Sequence, residues 1–300
     1  MNNNNKKSEK EFLESYNLGD YERPSLAADM VLFTVISNKE DNYRKLPGKQ
    51  LSVLMIKRGE HPFLNEWALP GGFVRTGETV EEAAARELFE ETGVGKAHLE
   101  QLSVFSEPDR DPRGWIVSCS FMALVENSRL SIKSGNDASD AKWFDISYKL
   151  IREESEETIT GYISKMYYEL ILSNSDIVLS SEIEVKITAS MYNKNVEYSI
   201  VKSDGIAFDH AKIISYAISN LRKKVDLTTI AFELLPEFFT LTDLQKVYEI
   251  ILDKELLTAN FRRKIADFVI ETDNATSSAG HRPSKLHKRN IEAFIKKDEL

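Results

Sequence analysis

Apolar and polar positions follow two different rhythms along this chain, and the switches between them mark out its elements. Residues 27–36 and 51–57 are rich in β-branched and apolar side chains with turn-forming residues between them, and they predict two strands. A loop containing Gly59, Pro62, Pro70, Gly71 and Gly72 follows. Val80, Ala84 and Leu88 then recur at helical spacing, predicting a helix over residues 80–92. Strand-like runs return at 99–105, 115–125 and 142–146. Two strands, a helix and further strands make an α+β order, unlike the repeated units of an all-parallel sheet.

After residue 147 the rhythm changes. An acidic stretch up to Tyr168 reads as helical and runs at 184–187 and 197–201 alternate as strands do, so residues 147–203 are expected to be an insertion. A helix is expected over 208–221, where Ala211, Ile214, Ala217, Ile218 and Leu221 share one face. From Asp226 the pattern predicts three helices: residues 227–235, ended by Pro236; a second capped by Thr240; and a third striped by Leu257, Phe261, Ile265 and Phe268. That is helix-turn-helix spacing. The strand-like 268–271 and the basic run HRPSKLHKR at 281–289 read as a hairpin wing. The expected organisation is a polar tail over 1–20, a first domain over 21–222 and a second over 223–300.

Composition narrows the class. With 42% hydrophobic and 29% charged residues over 300 positions, the chain has the makeup of a soluble protein with two cores. No run approaches the roughly 18 apolar residues that span a bilayer, and MNNNNKKSEKEF has no apolar core of a secretory signal, so the expected location is the cytoplasm. The single Cys119 can form no internal disulfide and no thiolate metal site, and it reads as buried.

The net charge of -9 hides an uneven distribution. Acids gather between Glu78 and Glu91 and again at 153–157, whereas Arg282, Lys285, Lys288, Arg289, Lys296 and Lys297 face one acid, Glu292, near the end. On the third helix Ala259, Arg262, Arg263 and Ala266 lie opposite the apolar stripe, where small residues permit close approach to a groove and guanidinium groups reach phosphate or guanine. The candidate contacts to double-stranded DNA are Arg262, Arg263 and Lys264 on the helix and Arg282, Lys285, Lys288 and Arg289 on the wing, with His281 and His287 in the same basic rim. The competing reading is a dimerisation module with a solvated basic edge. A DNA-reading unit of this kind is expected to act as a homodimer.

The chemistry concentrates in GGFVRTGETVEEAAARELFEETGV, where Gly72, Glu78, Arg86, Glu87, Leu88, Glu90, Glu91, Gly93 and Val94 keep a fixed spacing. Thr79 and Glu82 make a capping box, and Gly93 supplies the left-handed residue that ends the helix. Glu87, Glu90 and Glu91 converge on one face, and three such carboxylates are tolerated mainly around a divalent cation; oxygen ligands suit magnesium or manganese. Arg86 is placed to orient Glu87. Arg110 and Arg113, in SEPDRDPRGW, are candidate phosphate ligands or parts of a plain turn. Arg58, Trp67 and Phe73 are placed to stack on a base, to pair with acids or to pack in the core. Glu87 is a candidate general base, with Asp137 and Asp140 as alternatives on a loop.

By these residues the chain resembles the Nudix hydrolase family. The resemblance implies an α/β/α sandwich, with Glu87, Glu90 and Glu91 as metal ligands and the Gly72 backbone beside the metal. The runs PGGFV, DRDPRG and AFDHAKII, with the basic helical C-terminus, narrow it to the branch of ADP-ribose pyrophosphatase-like proteins and Nudix-related regulators, which carry a C-terminal winged helix. The first expectation is a magnesium-dependent hydrolase that converts ADP-ribose to AMP and ribose 5-phosphate. The alternative is an ADP-ribose-sensing regulator of NAD or sugar metabolism with little or no hydrolysis. Several such regulators have a degraded box, whereas every position here is intact.

Overall fold

The computed structural model describes residues 8–37, 49–95, 97–129, 138–159, 161–276 and 283–298. A short exposed helix, α1 (Glu9–Ser15), is closed by a Ser8–Glu11 capping box. Strands β1 (Ser25–Ser37) and β2 (Lys49–Arg58) are followed by the short β3 (Trp67–Ala68) and β4 (Gly71–Phe73), then by α2 (Val80–Thr92). Next come β5 (His98–Phe105), β6 (Ile116–Leu124), β7 (Ala138–Thr158), β8 (Gly161–Asn174), β9 (Ile177–Ser190) and β10 (Lys194–Asp204). The helix α3 (His210–Val225) leads to α4 (Leu241–Leu252), α5 (Thr258–Ile265), the hairpin β11 (Val269–Ala275) and β12 (Lys285–Arg289), and α6 (Ile291–Asp298).

The main sheet runs β10-β9-β8-β7-β2-β1-β6-β5, with β3 on β2 and β4 on β1. Among the strand-to-strand pairings described only β1 and β6 run parallel, with an isolated parallel bridge from Trp67 to Ile206; the rest are antiparallel. Alternation along β1 assigns its two faces. Met30 and Leu32 join Leu54 and Leu88 beneath α2, while Val31, Phe33 and Val35 join Met55, Phe144 and Ile214 beneath α3. Helix, sheet and helix thus form the expected sandwich, and Cys119 is buried in it.

Residues 147–159 and 161–168 are not helical. They lie on β7 and β8, which extend the sheet as long hairpins. The glutamate run that favours a helix locally is overridden by cross-strand pairing, in which Glu154 lies opposite Lys165 and Lys149 opposite Glu169. The segment read as the first C-terminal helix, 227–235, contains only a 3-10 turn, Ile230–Leu234. Its short length suits its role as a plug: Ile230, Ala231, Phe232 and Leu234 are all buried.

α4 is the helix expected behind Thr240; it buries Leu244, Val247, Tyr248 and Ile251, and its Thr240 cap closes a box with Asp243. The buried core is continuous from the sheet through α3 into this unit, since Ala217, Ile218 and Leu221 share one cluster with Phe232, Phe239 and Val247. α3 therefore belongs to both halves of the molecule.

Candidate functional site

α2 starts where Thr79 and Glu82 satisfy each other's backbone N–H groups and stops at Gly93, whose φ of 72° few other residues adopt cheaply. Ala83, Ala84 and Leu88 face the sheet, which turns the carboxylates toward β4 and its Gly72. Arg86 organises them. Its Nη2 donates to Glu78 Oε1 at 2.8 Å, its Nε to Glu78 Oε2 at 3.2 Å and its Nη1 to Glu87 Oε1 at 2.6 Å, while Glu90 lies 3.6 Å away. The bonds from Arg86 and from the Arg75 N–H hold the Glu78 carboxyl down at about 2.

Glu91 is the counterpart. Burial, then the charges of Glu87 and Glu90, push its carboxyl up to about 7, and its Oε2 is buried without a hydrogen-bond partner. A Cβ on Gly72 would come closer than 3.0 Å to Glu87 Oε1, so a larger residue there would push the end of that carboxylate side chain out of its place beside the backbone. Among the described residues no three His, Cys, Asp or Glu side chains form a closed metal cage, because the Arg86 guanidinium stands between Glu78, Glu87 and Glu90. An orphaned carboxylate oxygen, an all-oxygen donor set and an open backbone at Gly72 nevertheless fit a hard divalent cation that keeps part of its own water shell.

Of the five residues expected to touch a ligand, three come together. The Arg113 guanidinium lies 5.3 Å from the Phe73 ring centre and 5.5 Å from that of Phe208, and Arg58 lies 4.8 Å from the same Phe208. Asp111 holds Arg113 by a two-point pair. The other two are corrected. Trp67 is 5% exposed and packs edge-on against Phe144 at 4.8 Å, so it is a core residue with no free face for a base. Arg110 has a side chain only 4% exposed and donates to Asp209 at 2.7 and 3.1 Å and to Asp29 at 3.2 Å, which leaves it no access to phosphate. Asp140 is on β7 opposite Lys57, not on a loop, and pairs with Lys142; Asp137 lies outside the described residues.

On the C-terminal unit Arg262, Arg263 and Lys264 all lie on the outer side of α5, whose Phe261 and Ile265 are buried. Lys264 is engaged, pairing with Asp226 at 2.9 Å and lying over the Tyr248 ring. On the wing Lys288 is exposed and Lys285 pairs with Glu271 at the surface. Arg289 is half-buried and engaged within the protein, donating to Glu233 at 2.7 Å and to the Phe232 carbonyl. His287 is likewise buried, its backbone bonded in both directions to Phe239. Arg282 lies outside the described residues.

Residues 42–158 match the NUDIX domain, and residues 231–288 match the NrtR DNA-binding winged helix domain. An ADP-ribose pyrophosphatase of Methanocaldococcus jannaschii is 42% identical over 135 residues, covering 45% of this chain and 69% of that protein. The chain belongs to the Nudix family. Similarity also extends over nearly the whole length to an "ADPR responsive transcriptional repressor NtrR" of Acinetobacter baylyi, 29% identical across 96% of this chain and 90% of that protein. Among solved structures, a MutT/nudix family protein from Enterococcus faecalis superposes with a TM-score of 0.64 at 32% identity, covering 95% of this chain and 94% of that one. Shewanella oneidensis NrtR complexed with a 27mer DNA gives 0.60 at 27% identity, covering 90% and 95%. The expected fold, a Nudix sandwich followed by a winged helix, holds.

In this Nudix protein, sequence reasoning passed over Asp29, Asp111 and Asp209, the partners of the two arginines, and His210, whose buried Nδ1 accepts the Leu69 N–H at 2.8 Å. The signal for two of them was the run AFDHAKII, which contains Asp209 and His210. No local pattern points to Asp29, which is 81 positions from Arg110.

Proposed function

We propose that this Nudix protein is an ADP-ribose-responsive transcriptional regulator, with the nucleotide held on the Nudix domain and double-stranded DNA on the winged helix. The observation that carries the reading is the similarity to the Acinetobacter baylyi repressor, which runs through both domains and 96% of this chain. It reverses the order expected from sequence, where hydrolysis stood first and sensing second. The likeness to Shewanella oneidensis NrtR, a protein solved in complex with a 27mer DNA, supports DNA as the partner of the second domain.

Magnesium or manganese held by Glu87, Glu90, Glu91 and the Gly72 backbone would offset the diphosphate charge of ADP-ribose. Arg58, at the end of β2, and Arg113, on the loop before β6, supply guanidinium groups beside the site. Because every box position is intact, slow cleavage to AMP and ribose 5-phosphate accompanies sensing in this reading. Arg262, Arg263 and Lys288 are the exposed cations that would meet the DNA backbone and groove. The unit acts as a homodimer on a two-fold site.

α3 supplies the physical link. Its 16 residues span about 24 Å. Phe208 and Asp209 precede it at the ligand side; at its far end Arg222 donates to the Tyr148 carbonyl at 3.3 Å and to the Ile251 carbonyl of α4 at 3.0 Å. Lys49–Asp243 at 2.7 Å and Lys149–Asp253 tie the same sheet to α4. The test is a mobility shift with DNA from upstream of the protein's own gene, with and without ADP-ribose and magnesium. A salt-sensitive, sequence-specific complex that responds to ADP-ribose is expected; absence of any such complex sinks the reading.

A further inference from the structure

At the end of β2 remote from Arg58, the sheet, α3, α4 and the wing border a cavity of about 940 Å³. Leu51, Ile146 and Ile218 line it from the sheet and α3, and Ile250 lines it from α4; Ile146 and Ile250 are the partly exposed members. Thr276 and Ser284, bonded to each other at 2.9 and 3.0 Å, close the side made by the wing. Leu51 and Arg58 are about 23 Å apart along β2 at 3.3 Å per residue, so this cavity is separate from the carboxylate face. Its volume suits a small-molecule ligand, and such sites favour junctions between folded units.

Charge is matched along the wall of this cavity except at Arg222. Lys49 pairs with Asp243 at 2.7 Å, Lys246 with Glu249 at 2.6 Å and Lys149 with Asp253, while Lys254 and Glu255 are exposed charges of opposite sign. Arg222 has no carboxylate of its own among the described residues: it lies 3.9 Å from Asp253, whose two oxygens both accept from Lys149. Its Nε donates to the Ile251 carbonyl and its Nη2 to the Tyr148 carbonyl, so three of a guanidinium's five donors are left over. The side chain is 26% exposed and lies over the Tyr148 ring, which is buried and stacked on Tyr168. A guanidinium half withdrawn from water, fixed by two carbonyls and an aromatic face and left with a fork of unused donors, is suited to bind a carboxylate.

We propose that this junction is a second ligand site, for a small organic monoanion whose carboxylate meets Arg222 and whose apolar body lies along Ile146 and Ile250. One unmatched cation calls for one negative charge, and branched apolar side chains reward a hydrophobic body over a sugar or a polyphosphate. The inference stands apart from the ADP-ribose reading and adds a ligand to it. Such a ligand touches the sheet, α3 and α4 at once, so it bears on the Lys149–Asp253 and Arg222–Ile251 ties that hold the two halves of the molecule together.

The test is a calorimetric titration of the full-length protein with 1-naphthoate, an aromatic monocarboxylate, beside 1-naphthamide, which has the same body without the charge. One naphthoate per chain is expected to bind, with the same affinity whether or not ADP-ribose and magnesium are present, and the amide roughly 10-fold or more weakly. Arg222→Gln keeps a planar donor but loses the charge and should weaken naphthoate roughly 10- to 150-fold, with Arg222→Lys in between. Ile250→Trp, which fills part of the cavity from α4 and leaves Arg222 in place, should weaken it as well, and decides the question by itself if Arg222→Gln does not fold. Absence of saturable binding to the wild type at millimolar probe overturns the inference. So do displacement of naphthoate by ADP-ribose, equal affinity for the amide, and unchanged affinity in the variants.

Discussion

Arg110→Met removes the only guanidinium bonded to both Asp29 and Asp209 among the described residues. The arginine side chain is 4% exposed and the two aspartates 13% and 10%, so water cannot replace the lost partner. Breaking a buried ion pair from one side costs about 3–5 kcal/mol, chiefly because the remaining charge stays desolvated. At about 2–4 °C per kcal/mol for a chain of this size, thermal unfolding followed by circular dichroism should show a midpoint lower by roughly 6–20 °C. Adding Asp29→Asn and Asp209→Asn removes the stranded charges and should recover most of the loss, with ADP-ribose affinity near wild type. A loss no greater than the roughly 1 kcal/mol of a surface pair would refute the structural role. A triple variant that is stable yet cannot bind ADP-ribose would return Arg110 to phosphate binding.

Further outcomes follow from the same geometry. Gly72→Ala places a methyl group where the end of the Glu87 side chain sits, loosening its bond to Arg86, and should weaken magnesium binding more than it lowers stability, measured by metal titration and chemical denaturation. Burial holds His210 below its ordinary 6.5, with Arg110 and Arg58 pushing the same way and Asp29 and Asp209 opposing. The folded state thus keeps it neutral, so its contribution is full above about pH 6.5 and is lost as the pH falls below that, where the unfolded chain takes up the proton first. His210→Asn should flatten stability between about pH 7 and pH 5; an unchanged slope counts against this. Arg222→Ala, which cuts the α3–α4 tie, should leave DNA affinity near wild type but shrink its response to ADP-ribose in a mobility shift. In an assay for AMP release, the slow turnover of the wild type should fall to background in Glu90→Gln.

What could be read from the sequence was local. The capping box, the carboxylate spacing and the stop at Gly93 all lie within one helix, and the α4 stripe is set by a 3.6-residue period, so both elements are where their residues predict them. The glutamates of 153–157 misled because their strand state depends on partners in β8, such as Lys165 opposite Glu154. Trp67 and Arg110 misled for a related reason: proximity to the box in sequence says nothing of burial. Trp67 turns inward on a two-residue strand, and Arg110 meets an aspartate 99 positions away. Phe208 lies within the run AFDHAKII, but its place beneath Arg58 and Arg113 is not legible there, because its left-handed backbone and its contact with Phe63 exist only once two distant loops are packed together.

The most direct measurement is reciprocal linkage on the full-length protein. Fluorescence anisotropy gives the affinity for the shifted DNA fragment with and without a saturating non-hydrolysable analogue of ADP-ribose, and calorimetry gives the affinity for the analogue with and without that fragment. A coupled regulator predicts the same factor in both directions, on the order of 5- to 150-fold. Two tight but mutually indifferent binding events, with a factor of one each way, would contradict the account.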